Sequence, residues 1–215
     1  MHPRAARLPA TLLLVVLTLS CASVRDSYES RLEILALLQT LNADLLASSS
    51  ATATLERWCG EHRMAVNPVV IAQRVDGAQK APSAEQLQRL RVTDASAVKY
   101  RRVRLQCGAH TLSEADNWYV PARLTPEMNQ LLDTTDTPFG KAVRPLTPYR
   151  RTIEARLLWS PLPRGWERRP RPRLGPVVIP NEILVHTAIL YTSDHQPFSE
   201  VVETYQGALF AKLTR

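Results

Sequence analysis

The sequence lacks the short motifs that identify the common hydrolases and nucleotide-binding enzymes. It contains no HEXXH, no GXSXG, no P-loop and no dinucleotide-binding glycine pattern. It also has no internal repeat, and its cysteines and histidines are not spaced like the ligands of a metal site. The missing helix-turn-helix segment argues against a transcription regulator. We therefore expect a protein that uses neither a cofactor nor a metal ion.

Cysteine is scarce, with Cys21, Cys59 and Cys107 the three in the chain. Cys21 directly follows an apolar segment and is considered with that segment below. In an oxidising compartment the other two cysteines would form a disulfide bond. The alternative is a pair of small buried thiols that never meet, and the sequence leaves both interpretations open.

Residues 10–19 form an apolar run, with Thr11 and Thr18 as its polar members, that follows Arg4 and Arg7. This run is too short to span a bilayer permanently. Its order, basic and then apolar, predicts a signal peptide over residues 1–20, and hence an exported protein. Cys21 lies where a lipoprotein cysteine is acylated, which would anchor the chain to the membrane as a lipoprotein. Release into the periplasm is the alternative, because Leu19 occupies a place where a small residue is usual. A buried first helix of a cytosolic protein is a third interpretation.

Much of the formal net charge of +7 comes from residues 161–180, which are rich in arginine and proline. Proline at this density excludes a regular helix or a central strand, so we expect an exposed loop. A basic loop can contact anionic lipid or nucleic acid. Because no nucleic-acid motif accompanies it, we expect a solvated loop and no nucleic-acid partner.

The apolar pattern predicts an α+β domain. Residues 24–62 form a helical segment, and residues 67–215 form the main domain, on which that segment packs as one unit. Two strands at 98–107 and 111–120 make a hairpin, and two more at 183–191 and 198–210 make another. Because hairpins dominate and no βαβ alternation recurs, the sheet is antiparallel with helices on one side.

Residues 102–210 resemble the chorismate lyase-like superfamily, which includes chorismate pyruvate-lyases and the ligand-sensing domains of some transcription regulators. The resemblance rests on the order of short motifs along the chain. These are Arg102-Val103-Arg104-Leu105-Gln106-Cys107, then Tyr119-Val120-Pro121, Thr137-Pro138-Phe139-Gly140, Arg150-Arg151, and last Glu200-Val201-Val202-Glu203-Thr204-Tyr205.

The resemblance implies about six strands and a small internal pocket for an aromatic or cyclohexadiene carboxylate. It assigns carboxylate binding to Arg102, a pocket wall to Phe139, and the catalytic acid to Glu203. The reaction would split chorismate into 4-hydroxybenzoate and pyruvate without a cofactor. The alternative is a non-catalytic envelope lipoprotein that uses the fold for ligand sensing or for protein binding.

The two arginines on the first hairpin have a second interpretation. Counting back from a turn centred near Ala109 places Arg102 opposite Asp116 and Arg104 opposite Glu114. Both arginines would then form cross-strand ion pairs instead of binding a ligand. Near the end of the chain, Glu200 and Glu203 lie on opposite faces of one strand, and either can point inward.

Arg151 alternates with apolar residues along the predicted strand 149–159, and this makes it a candidate for substrate binding. A lone cation on an apolar face needs an anion, either Glu203 or a ligand carboxylate. Arg150 lies on the opposite face of a regular strand, where we expect it to be solvated. His186 lies in mid-strand, where a hydrogen-bonded core histidine is expected.

Overall fold

The computed structural model describes residues 27–214, except residues 76, 78 and 172–174. The predicted signal peptide and Cys21 lie outside these residues. The described strands are β1 (Val70–Arg74), β2 (Lys99–Cys107), β3 (His110–Tyr119), β4 (Tyr149–Leu157), β5 (Glu182–Tyr191) and β6 (Pro197–Gln206). The α-helices are α1 (Tyr28–Ala47), α2 (Ala51–Glu61), α3 (Ala84–Leu90), α4 (Pro126–Thr134) and α5 (Phe139–Ala142).

All six strands belong to one antiparallel sheet in the order β1-β2-β3-β6-β5-β4. The hairpins β2-β3 and β5-β6 meet in the middle of this sheet, where β3 pairs with β6. Short 3-10 helices connect several elements and follow β6. The fold is therefore α+β with an antiparallel sheet of six strands, as the sequence predicted.

Helices α1 and α2 begin where the sequence provides capping hydroxyls. Ser27 accepts a hydrogen bond from the backbone N–H of Ser30, and Ser50 accepts one from that of Ala53. The buried apolar residues of α1 recur at helical spacing, and three of them enter the main core: Leu38, Leu41 and Leu45. This packing makes α1 and α2 part of the main core of the domain. Among the described residues, no helix has both the length and the apolar character needed to cross a membrane.

A disulfide bond joins α2 to the sheet. It links Cys59 near the end of α2 with Cys107 at the end of β2, and the two Cα atoms are 6.5 Å apart. Both residues are fully buried in the main core. The bond fixes the end of α2 against β2, and α2 is the helix whose first turn reaches the site described below.

The short helix α3 lies on the opposite face of the sheet from the other helices. Its Arg89 donates two hydrogen bonds of 2.7 Å to the carboxylate of Glu200 on β6. Leu90 packs there against Trp118, whose neighbour Asn117 points to the other face. Glu200 is thus a structural partner of α3, on the face away from the central cavity.

The register of the first hairpin agrees with the register counted from the sequence. Arg102 pairs with Asp116 and Arg104 with Glu114, and a register shift follows only between Leu105 and Gln106. Both arginines also form cross-strand ion pairs. Nε of Arg104 lies 2.9 Å from Oε1 of Glu114, the predicted partner. Arg102 lies 3.8 Å from Oδ1 of its predicted partner Asp116, but its shorter contact, of 2.7 Å, is with Oε2 of Glu114.

Strand β4 departs from regular alternation, and this reverses the predicted positions of its two arginines. The register with β5 shifts between Thr152 and Glu154, where β4 contains one extra residue. Such a bulge moves the residues on either side of it to different faces of the sheet. Arg150 therefore faces the helices with a side chain only 3% exposed, and Arg151 is exposed. The prediction that Arg151 points inward and Arg150 is solvated was wrong for this reason.

Candidate functional site

A cavity of about 390 Å³ lies between the inner face of the sheet and the helices α2 and α5. We call it the central cavity. Its apolar wall comes from four strands and from the start of α5, and it includes Val103, Leu105, Ala115, Leu190, Val201 and Phe139. Its polar groups are Arg101, Asn117, Lys141, Arg144, Arg150, Glu56 and Glu203. The cavity thus combines an apolar body with cationic groups at its margin, which suits a small organic anion.

Arg150 forms a buried ion pair in the central cavity. Its Nη1 lies 2.7 Å from Oε2 of Glu203, and Glu203 also accepts a hydrogen bond of 3.0 Å from the hydroxyl of Tyr205. The other two nitrogens of this guanidinium, Nε and Nη2, are buried and have no hydrogen-bond partner within the described part of the chain. A buried donor without a partner is costly, so these two nitrogens are suited to receive a ligand oxygen.

The charge of Arg150 is maintained despite its burial. Burial alone would lower the pKa of Arg150, but the charge of Glu203 and the hydrogen bonds to Glu203 and Tyr205 outweigh it and raise this pKa. The guanidinium therefore stays protonated at every pH at which the protein is folded. One carboxylate occupies one side of it, and two donors remain for a second anion.

Arg101 provides a second buried guanidinium at the opposite side of the cavity. The residue is 7% exposed, its Nη2 donates a hydrogen bond of 3.2 Å to the carbonyl of Thr137, and its Nε has no partner among the described residues. Burial, and then the positive charge of Arg74, lower the pKa of Arg101. An anion placed beside Arg101 would relieve both effects.

The first turn of α2 completes the cavity. Ser50, Ala51, Thr52 and Ala53 line it, so the positive end of the helix dipole lies at the site. Gly140 of the Thr-Pro-Phe-Gly motif fits against this turn, because a Cβ at that position would lie 2.9 Å from Oγ of Ser50 and 3.0 Å from Oγ1 of Thr52. The motif therefore contains glycine because α5 approaches α2 too closely for a side chain.

The structure brings two of the four predicted ligand-site residues into the central cavity. Glu203 and Phe139 line it, and the Phe139 ring lies 5.4 Å from that of Tyr119. Arg102 does not reach it, because its side chain points to the other face of the sheet and pairs with Glu114 there. Arg151 is exposed on that same other face, as a consequence of the bulge in β4.

Three arginines line the cavity, and two of them, Arg101 and Arg150, are the immediate neighbours of the two that were predicted. A signal for Arg101 was present, because it alternates with Val103, Leu105 and Cys107, all of which are buried. No comparable signal existed for Arg150. Its orientation depends on the bulge, and bulges have no clear mark in a single sequence.

His186 is fully buried beneath α1, next to the Arg150–Glu203 pair. Its Nε2 lies 2.8 Å from Oδ1 of Asn42 on α1, while Nδ1 has no partner in the part of the chain described. Burial, followed by the charge of Arg150, lowers the pKa of His186 to about 4. The ring is therefore neutral at pH 7, which fits the hydrogen-bonded core histidine expected from the sequence.

Comparison with known proteins gives one close relative. No family model matches the chain. Uncharacterized protein y4mC of Sinorhizobium fredii is 51% identical over 180 residues, a match that covers 82% of this chain and 76% of that protein. The chain belongs to the same family as y4mC.

Solved structures resemble the chain at low sequence identity. The effector domain of PhnF from Mycobacterium smegmatis is 11% identical, with 74% of this chain and 89% of that domain covered and a TM-score of 0.46. The possible transcriptional regulator YydK from Bacillus subtilis is 14% identical, with 63% of this chain covered and a TM-score of 0.38. The chain spans 58% of the length of YydK. These likenesses concern the fold alone, and the absence of a nucleic-acid partner stays a prediction.

Proposed function

We propose that this protein binds a small organic carboxylate with an apolar, ring-sized body in the central cavity. The observation behind the proposal is Arg150, whose guanidinium is buried and charged, and whose Nε and Nη2 have no hydrogen-bond partner among the described residues while Nη1 pairs with Glu203. A ligand carboxylate can accept from Nε and Nη2 together, which is the bidentate geometry that arginine favours. The apolar wall around Phe139 would enclose the rest of the ligand.

The arrangement around Glu203 favours binding over catalysis. A general acid must offer a proton to the reacting oxygen. Glu203 instead pairs with Arg150 and accepts a hydrogen bond from Tyr205, so protein groups already occupy the oxygen that would have to face a substrate. We therefore propose a ligand-binding or sensing role on a chorismate lyase-like fold. Chorismate pyruvate-lyase activity is the second candidate, because Glu203 and Phe139 both line the cavity.

Export is also part of the proposal. Basic residues followed by an apolar run predict a signal peptide over residues 1–20, with Cys21 as the residue for lipidation. The Cys59–Cys107 disulfide gives independent support, because structural disulfides persist in oxidising compartments. We propose that the protein acts in the periplasm or as a lipoprotein anchored to the membrane.

Two assays of the purified protein test this function. In the first, calorimetric titration compares 4-hydroxybenzoate with 4-hydroxybenzyl alcohol, which has the same ring without the carboxylate. We expect saturable binding of the acid, and binding of the alcohol at least about tenfold weaker because it lacks the charged group. Equal affinities, or no binding of either compound, would contradict carboxylate recognition.

In the second assay, the protein is incubated with chorismate while pyruvate and 4-hydroxybenzoate are followed. We expect no release above the spontaneous rate, because Arg150 and Tyr205 already engage the carboxyl group of Glu203. Stoichiometric release that Glu203→Gln abolishes would establish the lyase instead.

A further inference from the structure

A second cavity, of about 530 Å³, lies at the edge of the sheet, where β1 ends before β2 does. We call it the edge cavity. Strand β1 pairs with β2 only as far as Arg74 opposite Val103, so residues 99–101 of β2 extend beyond the end of β1. The C-terminal part of α4 closes one side of this cavity with Leu132 and Asp133.

The wall of the edge cavity is strongly cationic. Among the residues that the structure describes, five positively charged side chains and one carboxylate line it; the cations are Arg74, Lys80, Lys99, Arg101 and Arg102, and the carboxylate is Asp133. Three of the cations have carboxylate partners. Lys99 pairs with Asp133, Lys80 with Asp116, and Arg102 with Glu114. Arg74 donates to the carbonyls of Leu132 and Asp133, each at 2.7 Å. Within the described part of the chain, Arg74 and Arg101 form no ion pair with a carboxylate.

Two donors on buried residues of this wall lack a hydrogen-bond partner among the described residues. They are Nε of Arg101, a residue that also lines the central cavity, and the hydroxyl of Tyr119. Tyr119 is fully buried and Arg101 is 7% exposed. Nε of Arg102 makes no hydrogen bond either, but it lies 3.8 Å from Oδ1 of Asp116. Buried polar groups are almost always paired, so the two unpaired donors in a cationic wall indicate a missing acceptor.

We propose that the edge cavity is a second anion site, distinct from the central cavity, and that it takes a phosphate-type oxyanion, either inorganic phosphate or a small phosphate monoester. The buried position of Tyr119 requires a ligand that enters the cavity, which suits a free ion and not a headgroup held at a membrane surface. Apart from Gly77, Val75 and Leu132 are the described residues of this wall whose side chains carry no polar group. The site therefore binds a polar, multiply charged group, in contrast to the carboxylate with an apolar body proposed for the central cavity.

The geometry of a phosphate group suits donors that come from both faces of β2. Tyr119, Lys99 and Arg101 lie on the helix side of the sheet. Tyr100 and Arg102 point to the other side, where Lys80 pairs with Asp116. A phosphate group has three strong acceptor oxygens, enough to accept from donors on both sides of the β2 edge. A single carboxylate has its acceptors in one plane and matches this arrangement less well.

Calorimetric titration with inorganic phosphate and with pyrophosphate, at constant ionic strength, tests this site. We expect saturable binding by the unmodified protein. Tyr119→Phe removes a hydroxyl that has no partner in the structure, so the variant should melt at the temperature of the unmodified protein or above it. Its affinity for phosphate should fall about tenfold, because a hydrogen bond to a charged group is lost.

Two charge variants separate a specific site from general electrostatic attraction. Lys99→Gln removes a charge from the edge cavity and should weaken phosphate binding about tenfold. Arg151→Gln removes an exposed positive charge that lies outside both cavities, and it should change the affinity less than about twofold. Absence of saturable binding, unmodified affinity in Tyr119→Phe, or equal losses in Lys99→Gln and Arg151→Gln would each overturn the proposal.

The outcome is independent of the function proposed for the central cavity. The charge-balanced variant Arg150→Gln with Glu203→Gln alters only the central cavity. It should keep the phosphate affinity of the unmodified protein within about twofold, even if it binds no carboxylate. Loss of phosphate binding in this variant would show that the phosphate enters the central cavity, and it would overturn the second site.

Discussion

Arg150 on the edge strand β4 forms a buried salt bridge of 2.7 Å with Glu203 on β6, with strand β5 between them. Both side chains face the central cavity, and each is less than a tenth exposed. Breaking such a pair from one side leaves the other charge buried without a partner, which costs more than removing both charges. The pair therefore contributes to the free energy of unfolding as well as to the charge of the cavity wall.

A double-mutant cycle tests this coupling. Arg150→Gln or Glu203→Gln alone should lower the free energy of unfolding by about 3–5 kcal/mol, because each leaves one uncompensated buried charge. The double variant should lose less than the sum of the two single losses. Urea denaturation measures all three. Additive losses would mean that the two side chains do not interact in solution, and Arg151→Gln, on the exposed face, provides a control that should change stability by less than about 0.5 kcal/mol.

Arg101 and Arg102 are neighbours on β2, and their side chains point to opposite faces of the sheet. Arg101→Gln should weaken 4-hydroxybenzoate binding at least about tenfold, because it removes one of the cationic groups of the central cavity. Arg102→Gln should leave this affinity within about twofold, because its side chain pairs with Glu114 on the other face. Titration calorimetry of both variants measures the difference. A larger loss of affinity in Arg102→Gln would show that Arg102 binds the ligand carboxylate, as the family resemblance implies.

His186 makes the stability of the fold depend on pH between about 6.5 and 4. Its pKa is about 4 in the folded protein against 6.5 for an unperturbed histidine, so below pH 6.5 the unfolded chain takes up a proton that the folded protein does not. Stability should therefore be fully present above pH 6.5 and fall as the pH decreases towards 4, by about 3 kcal/mol from this residue.

The variant His186→Gln isolates that contribution. The free energy of unfolding of the unmodified protein, relative to that of the variant, should decrease from pH 7 to pH 4.5. The reason is that protonation of His186 in the unfolded chain destabilises the folded state of the unmodified protein but not that of the variant. Chemical denaturation at a series of pH values measures this. Parallel pH profiles for the two proteins would show that His186 is not held neutral by the fold.

The disulfide between Cys59 and Cys107 should contribute strongly to stability. It closes a loop with a sequence separation of 48 residues. For a loop of this length, the chain-entropy rule predicts a contribution of about 4 kcal/mol. The variant Cys59→Ala with Cys107→Ala should lose about this amount in urea denaturation, and a reductant should destabilise the unmodified protein but not the variant. Equal sensitivity of the two proteins to the reductant would indicate that the cysteines are not bonded.

The class of fold and the register of the first hairpin were predictable because both depend on patterns of period two and on a glycine turn. Counting residues back from that turn predicted that Arg102 lies opposite Asp116, and the structure has the same register. Glu203 and Phe139 were found through the resemblance to the chorismate lyase-like superfamily, and both line the central cavity.

The cationic residues of the site were not predictable in the same way. Because β4 has an extra residue between Thr152 and Glu154, the residues before and after it alternate out of phase. Strict alternation therefore predicted that Arg151 points inward, whereas Arg150 does so in the structure. The choice between Arg101 and Arg102 depended on which face of β2 is covered by helices. The apolar pattern of Val103 and Leu105 pointed to Arg101, while the family motif pointed to Arg102.

Binding of 4-hydroxybenzoate by two matched variants tests the central claim most directly. In calorimetric titration, the charge-balanced variant Arg150→Gln with Glu203→Gln should bind at least about tenfold more weakly than the unmodified protein, because it lacks the buried guanidinium. Arg151→Gln, which removes the adjacent charge on the exposed face, should bind within about twofold of the unmodified protein. Unchanged affinity in the double variant, or a loss in Arg151→Gln, would contradict a carboxylate site built on Arg150.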